Sequence, residues 1–169
     1  YSTHYMKRDI EDNLLAWKNS PISLTLIVRG ERQVGKSYII EKFGKTHFEK
    51  FLVINFEQTP EAKRCFTSLL TQKIISSLEL FSGEAIIPGK TLLFLDEIQE
   101  CPQAIMALRY FKEQMPSLHI ISAGSLLEFA LNDQNFSMPV GRIQFLSMYP
   151  LSFAEYLNAM GKTILREYL

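Results

Sequence analysis

The sequence predicts an α/β domain built on a mostly parallel, five-stranded sheet with helices on its faces, and three observations carry that prediction. Short apolar runs alternate with helical patterns five times along the chain, the rhythm of strand–helix–strand units. The runs at 51–56 and 91–95 are apolar almost without interruption, as strands of a parallel sheet covered on both faces are. The first run passes directly into a loop bounded by Gly30 and Gly35, which gives the order strand, glycine loop, helix.

Each element follows from local pattern. Ile10, Leu14 and Trp17 recur at spacings of four and three, so a lead-in helix over about 6–18 ends near Asn19-Ser20-Pro21. Ser23 to Arg29 is the first strand. Ile39, Ile40 and Phe43 form the stripe of the helix that starts near Lys36, with Gly44 as its expected C-cap. Phe51 to Phe56 is the second strand. Thr59 as N-cap and Pro60 at the first helical position then open one long helix, with Phe66, Leu70, Ile74 and Leu78 on a single face. After the turn-rich stretch 82–90, Thr91 to Leu95 is the third strand, ending at Asp96-Glu97. Pro102 starts a helix with Ile105, Leu108, Phe111 and Met115 inward. Leu118 to Ala123 is the fourth strand, Ser125 to Leu131 a short helix, Ile143 to Met148 the fifth strand, and a last helix runs from Pro150 through Met160.

Composition narrows the class. A chain of 169 residues with 47% hydrophobic residues is enough for one domain with its own core, expected over 1–169. Eighteen basic against eighteen acidic residues give zero net charge, which argues against a bulk electrostatic grip on nucleic acid. The longest uncharged stretch, Gln114 to Leu127, has 14 residues, too few for the roughly 18 or more of a membrane-spanning helix. Cys65 and Cys101 are far apart, and no charged segment precedes an apolar one at the start, so a cytoplasmic setting with reduced thiols is expected. His4, His47 and His119 are scattered, which disfavours a protein-held zinc site.

Two motifs carry chemistry. Gly30-Glu31-Arg32-Gln33-Val34-Gly35-Lys36-Ser37 fits G-x-x-x-x-G-K-[S/T] in full, between a strand and a helix. Glycines let such a loop fold around phosphate with its N–H groups inward, and the helix adds the positive end of its dipole. Candidate nucleotide contacts are therefore Gly30, Arg32, Gln33, Val34, Gly35, Lys36, Ser37 and Tyr38, with Lys36 on the β- and γ-phosphates and the Ser37 hydroxyl on Mg²⁺. Leu92-Leu93-Phe94-Leu95-Asp96-Glu97 ends an apolar strand in two carboxylates. There Asp96 can complete a Mg²⁺ shell and Glu97 can orient or deprotonate water. No N-K-x-D tetrapeptide occurs, so ATP is favoured over GTP.

These motifs stand in order with Asp96-Glu97-Ile98-Gln99, Ala123-Gly124-Ser125, Gly141-Arg142 and the run Tyr149 to Tyr156. Together they resemble the prokaryotic AAA-type ATPase family with a G-x-R-Q-V-G-K-[S/T] loop, across nearly the whole chain. Ser37 departs mildly, since Thr is commoner there. The resemblance implies a P-loop fold with sheet order 5-1-4-3-2, ATP at the C-terminal strand ends, and a longer chain that continues into a winged-helix-like segment and a further domain. It leaves open a protein partner or homo-oligomer, and DNA only by family analogy. A nucleotide-dependent switch with negligible hydrolysis and a DNA-associated ATPase regulator stand as the alternatives to an ATP hydrolase.

Four further residues carry two readings each. Ser125 is a polar sensor of the γ-phosphate or, in Ser-Leu-Leu-Glu, a helix capping box; Ser122 is the second sensor candidate. Arg142 supplies positive charge to the transition state, in cis or to a neighbouring subunit, or forms a structural salt bridge. Asn55 hydrogen-bonds Glu97 or is an ordinary strand-end amide. Arg32 touches phosphate or a partner. The stretch Tyr5 to Ile10 is a candidate wall for adenine.

Overall fold

The computed structural model describes residues 9–21, 25–30, 35–124 and 143–148. Five strands, β1 (Thr25–Arg29), β2 (Lys50–Asn55), β3 (Thr91–Asp96), β4 (His119–Ala123) and β5 (Ile143–Ser147), form one sheet in the order β2-β3-β4-β1-β5. Every pairing is parallel, and the order is the one the family resemblance implies. All the strands therefore end on one edge. From β1 the chain crosses to the far side of the sheet, whereas β5 lies on the other flank of β1, which makes the C-terminal end of β1 a topological switch point.

The period-two alternation of the strands divides the core into two layers. Ile27, Leu93, Leu95 and Ile120 face one way and pack with Ile74, Leu78, Ile105, Leu108 and Phe111 of helices α3 (Thr71–Ser82) and α4 (Pro102–Gln114). Leu26, Val28, Leu92, Phe94, Ile121 and Ala123 face the other way. There they meet Ile10, Leu14 and Trp17 of α1 (Asp9–Asn19) and Ile39, Ile40 and Phe43 of α2 (Lys36–His47). Helix–sheet–helix layering follows because neither apolar face of β3 can be left to water; all six of its residues are buried. Each fully buried Leu, Ile or Phe is worth about 1.5–3 kcal/mol. The Trp17 ring meets His119 edge-on with centroids 5.2 Å apart, and Phe48 lies 5.3 Å from the same imidazole. Burial there holds the His119 pKa below its usual value of 6.5.

Three expectations are corrected. The single long helix from Pro60 is instead a 3₁₀ segment, Pro60–Phe66, followed by a break and then α3. The break has a local cause: the Leu70 N–H donates to Ser68 Oγ at 3.1 Å, and Leu70 is extended (φ −81°, ψ 113°). Such side-chain to backbone bonding competes with the helix. The Thr71 N–H and hydroxyl then both donate to Gln114 Oε1, at 3.2 and 2.7 Å, which ties the start of α3 to the end of α4. Phe66, Ile74 and Leu78 are buried as expected, but Leu70 is 52% exposed. Thr59 makes no side-chain cap bond.

Gly44 does not close α2, which runs on to His47 and is capped by Phe48. Its smallness serves space instead, because a Cβ at Gly44 would run into Phe51 and Leu92. β2 lies at the edge of the sheet, as the order 5-1-4-3-2 implies, and there Val53 is half exposed despite the apolar run. The expected helices at 125–131 and 150–160 lie outside the described residues.

The break in the helical phase makes a measurable distinction. In urea titrations Leu70→Ala changes stability by less than about 0.5 kcal/mol, whereas Ile74→Ala lowers it by about 2–5 kcal/mol. One continuous amphipathic helix would make both substitutions costly.

Candidate functional site

The switch point gathers the ends of β1, β3 and β4 with the start of α2. β1 leads into Gly30 (φ 157°) and, across the loop, Gly35 takes a left-handed conformation (φ 84°, ψ 22°) as the residue before α2. Residues with a Cβ rarely adopt these angles, which explains glycine at both ends of the motif. The helix proper begins at Lys36, with no acidic residue in its first turn. Its first-turn N–H groups and dipole therefore favour an anion.

Lys36 is buried, and its ammonium Nζ donates to the Gly30 carbonyl at 2.7 Å. One end of the loop is thus fastened to the other. Ser37 Oγ donates to Asp96 Oδ2 at 2.8 Å, which joins the first turn of α2 to the last residue of β3, 59 positions later. Tyr38 is exposed beside them. Asp96 itself is buried, and its second oxygen Oδ1 accepts the Glu97 N–H at 2.9 Å. Burial pushes the Asp96 carboxyl above the usual carboxylate range. The Ser37 hydroxyl and the Glu97 N–H pull the other way, the Glu97 carboxylate adds to the rise, and Lys36 reduces it.

A hydroxyl and a buried carboxylate in contact are hard oxygen donors, and a carboxylate held out of water gains from a nearby dication. The Ser37–Asp96 pair therefore fits Mg²⁺ better than a soft metal. Among the described residues no group of three or more His, Cys, Asp and Glu side chains gathers as a metal site. Cys65 and Cys101 are free and buried, and burial raises both thiols.

Glu97 stands at the mouth of the site in a left-handed backbone conformation (φ 52°, ψ 46°), followed by a 3₁₀ turn over Ile98–Glu100. Its Oε2 accepts a hydrogen bond from Gln99 Nε2 at 2.6 Å. Asn55 lies across from Asp96 in the β2–β3 register, but its Oδ1 accepts the N–H groups of Glu57 and Gln58, at 2.9 and 3.0 Å. This is the local turn of a strand-end amide; the bond given to Glu97 comes from Gln99. Ser122, beside Leu95 in the β3–β4 register, is fully buried, and its Oγ has no partner among the described residues.

The structure thus brings together Gly30, Gly35, Lys36, Ser37, Asp96 and Glu97. Arg32, Gln33, Val34, Ser125 and Arg142, with the Tyr149 to Tyr156 run and residues 5–8 of the adenine-wall candidate, lie outside the described residues. Two neighbours were given no role by the motifs. Gln99 is legible only once the 3₁₀ turn that folds it back is known. Arg29, the last residue of β1, lays its guanidinium 3.8 Å from the centroid of the Phe145 ring, a contact that needs the β1–β5 pairing.

A protein-family model described as an AAA domain matches residues 23–157, which takes in every strand and both motifs. No curated protein matches the chain. No helix among the described residues is long and apolar enough to cross a membrane.

The buried carboxylate has a pH signature. A folded-state pKa above the unfolded one means that the native protein holds its proton longer, so stability falls as pH rises from the ordinary Asp range through the raised value. Asp96→Asn removes that loss. In magnesium-free melts from pH 4 to pH 8, the melting temperature of the variant rises relative to wild type as pH increases, and the difference is smallest at pH 4.

Proposed function

The chain belongs to the AAA domain family of nucleotide-binding, ATPase-type domains, and from that premise we propose that it binds MgATP in the loop from Gly30 to Tyr38 and hydrolyses it. The observation that carries the proposal is the Ser37–Asp96 contact. It brings the hydroxyl at the end of the glycine loop against the carboxylate at the end of β3, to which Glu97 is the next residue.

In this reading the N–H groups at the start of α2 face the phosphates, and Lys36 exchanges the Gly30 carbonyl for the β- and γ-phosphate oxygens. The exchange is favourable because a phosphate oxygen carries charge and a carbonyl does not. Ser37 and Asp96 are the residues that would hold Mg²⁺; when bound, the ion neutralises the charge that builds on the phosphates during transfer. Glu97 takes the part of the base: it accepts a proton from the attacking water and aims its oxygen at the γ-phosphate. ATP and ADP are thus the ligands. The family match and the missing N-K-x-D motif support ATP, while zero net charge gives no support for DNA as a partner.

The experiment is direct. With radiolabelled ATP, Lys36→Ala abolishes measurable binding. Glu97→Gln keeps binding within a few-fold of wild type and slows turnover by about 10²–10⁴-fold, the range for loss of a positioned base. Chelation of Mg²⁺ stops turnover in the wild type. Hydrolysis that survives both substitutions overturns the proposal. Tight binding by the wild type without turnover, with or without DNA or a protein partner, replaces it with a nucleotide switch.

A further inference from the structure

Glu97 is the one non-glycine residue with positive φ among the described residues, a conformation disfavoured for any side chain with a Cβ. The Glu100 N–H bonds back to its carbonyl at 3.1 Å. This tight turn brings Gln99 over the strand end, where its Nε2 meets the Glu97 carboxylate. A carboxylate only accepts hydrogen bonds, so it selects the NH₂ end of the amide. The other end, Oε1, is consequently turned toward the close of β4, where a Cβ on Gly124 would run into it. That oxygen is buried and has no hydrogen-bond partner among the described residues. A single side chain thus spans the ends of β3 and β4.

We propose that Gln99 is a positioning residue for Glu97, fixing the carboxylate through Nε2 and keying it to the end of β4 through its packing on Gly124. The proposal rests on reading Glu97 as the group that activates water, and it adds what aims that group. A glutamate on a strand-end turn has three rotatable side-chain bonds, and a base that samples many directions meets the attacking water rarely. The charge-assisted bond from Gln99 restricts that search before substrate arrives. The close fit against Gly124 fixes the amide in turn, since position 124 leaves room for the carboxamide only without a side chain. Gly124, at the close of β4, therefore adjoins the residue that holds the base.

The test uses the full chain and the near-isosteric Gln99→Met, which keeps the bulk over Gly124 and removes the donor. Turnover falls roughly 10- to 100-fold, the effect of losing one hydrogen bond to a charged group, while MgATP affinity stays within about twofold and the melting curve is unchanged. In single-turnover assays the Glu97→Gln, Gln99→Met double variant is no slower than Glu97→Gln alone, because a residue that acts through Glu97 has nothing left to position. Wild-type turnover in Gln99→Met, a parallel loss of affinity, or a further slowing in the Glu97→Gln background overturns the positioning role. Gln99→Ala gives the same comparison if the methionine perturbs folding. Should Glu97→Gln alone hydrolyse ATP at the wild-type rate, the reading of Glu97 fails, and this is seen before Gln99 is varied.

Discussion

The hydrogen bond from Ser37 to Asp96 is the contact on which the rest of the molecule converges. It spans only 2.8 Å, yet it requires that α2 start where β1 ends and that β3 stop at the same height in the sheet. The parallel order β2-β3-β4-β1-β5 supplies that condition, because it sends every strand toward one edge. The layer that contains α2 packs it against one face of the sheet, with the α3–α4 layer on the other, so that its first turn meets Asp96. Remove either layer and the two motifs become distant stretches of chain.

Much of the fold and of the site was legible because it depends on short-range pattern. Apolar runs located all five strands to within two residues, and the spacing of Ile10, Leu14 and Trp17 found α1, all three being buried. Glycine at 30 and 35 announced a loop only glycine could make, and both residues take positive φ. What the pattern missed was set by tertiary context. A four-residue repeat through Leu70 reads as one helix until Ser68 and Gln114 offer its backbone and Thr71 other partners. Gly44 looks like a helix terminator until Phe51 is known to lie over it. The hydrogen bond from Gln99 to Glu97 was equally hidden: an amide two residues along folds back onto its neighbour in this tight turn, whereas in a regular helix residues two apart do not face each other.

The site also shows where the molecule accepts unfavourable local terms. Asp96 is a carboxylate buried beside another carboxylate, and the adjoining Glu97 backbone sits in a sparsely populated conformation. Both lie at the end of the most completely buried strand, whose six residues and their packing outweigh them. The candidate site is thereby set at the end of the strand most completely enclosed among the described residues.

The tight seat of Gly44 has a mechanical consequence. It lies seven residues after Ser37 on the same helix, a distance of about 10 Å at 1.5 Å per residue. Over that span a helix behaves as a rigid rod. Gly44 therefore acts as a fulcrum: the depth to which it sinks against Phe51 and Leu92 sets the tilt of the rod, and with it where the opposite tip points. Substitutions around Phe51, remote from any phosphate, would reach the loop as a change of aim.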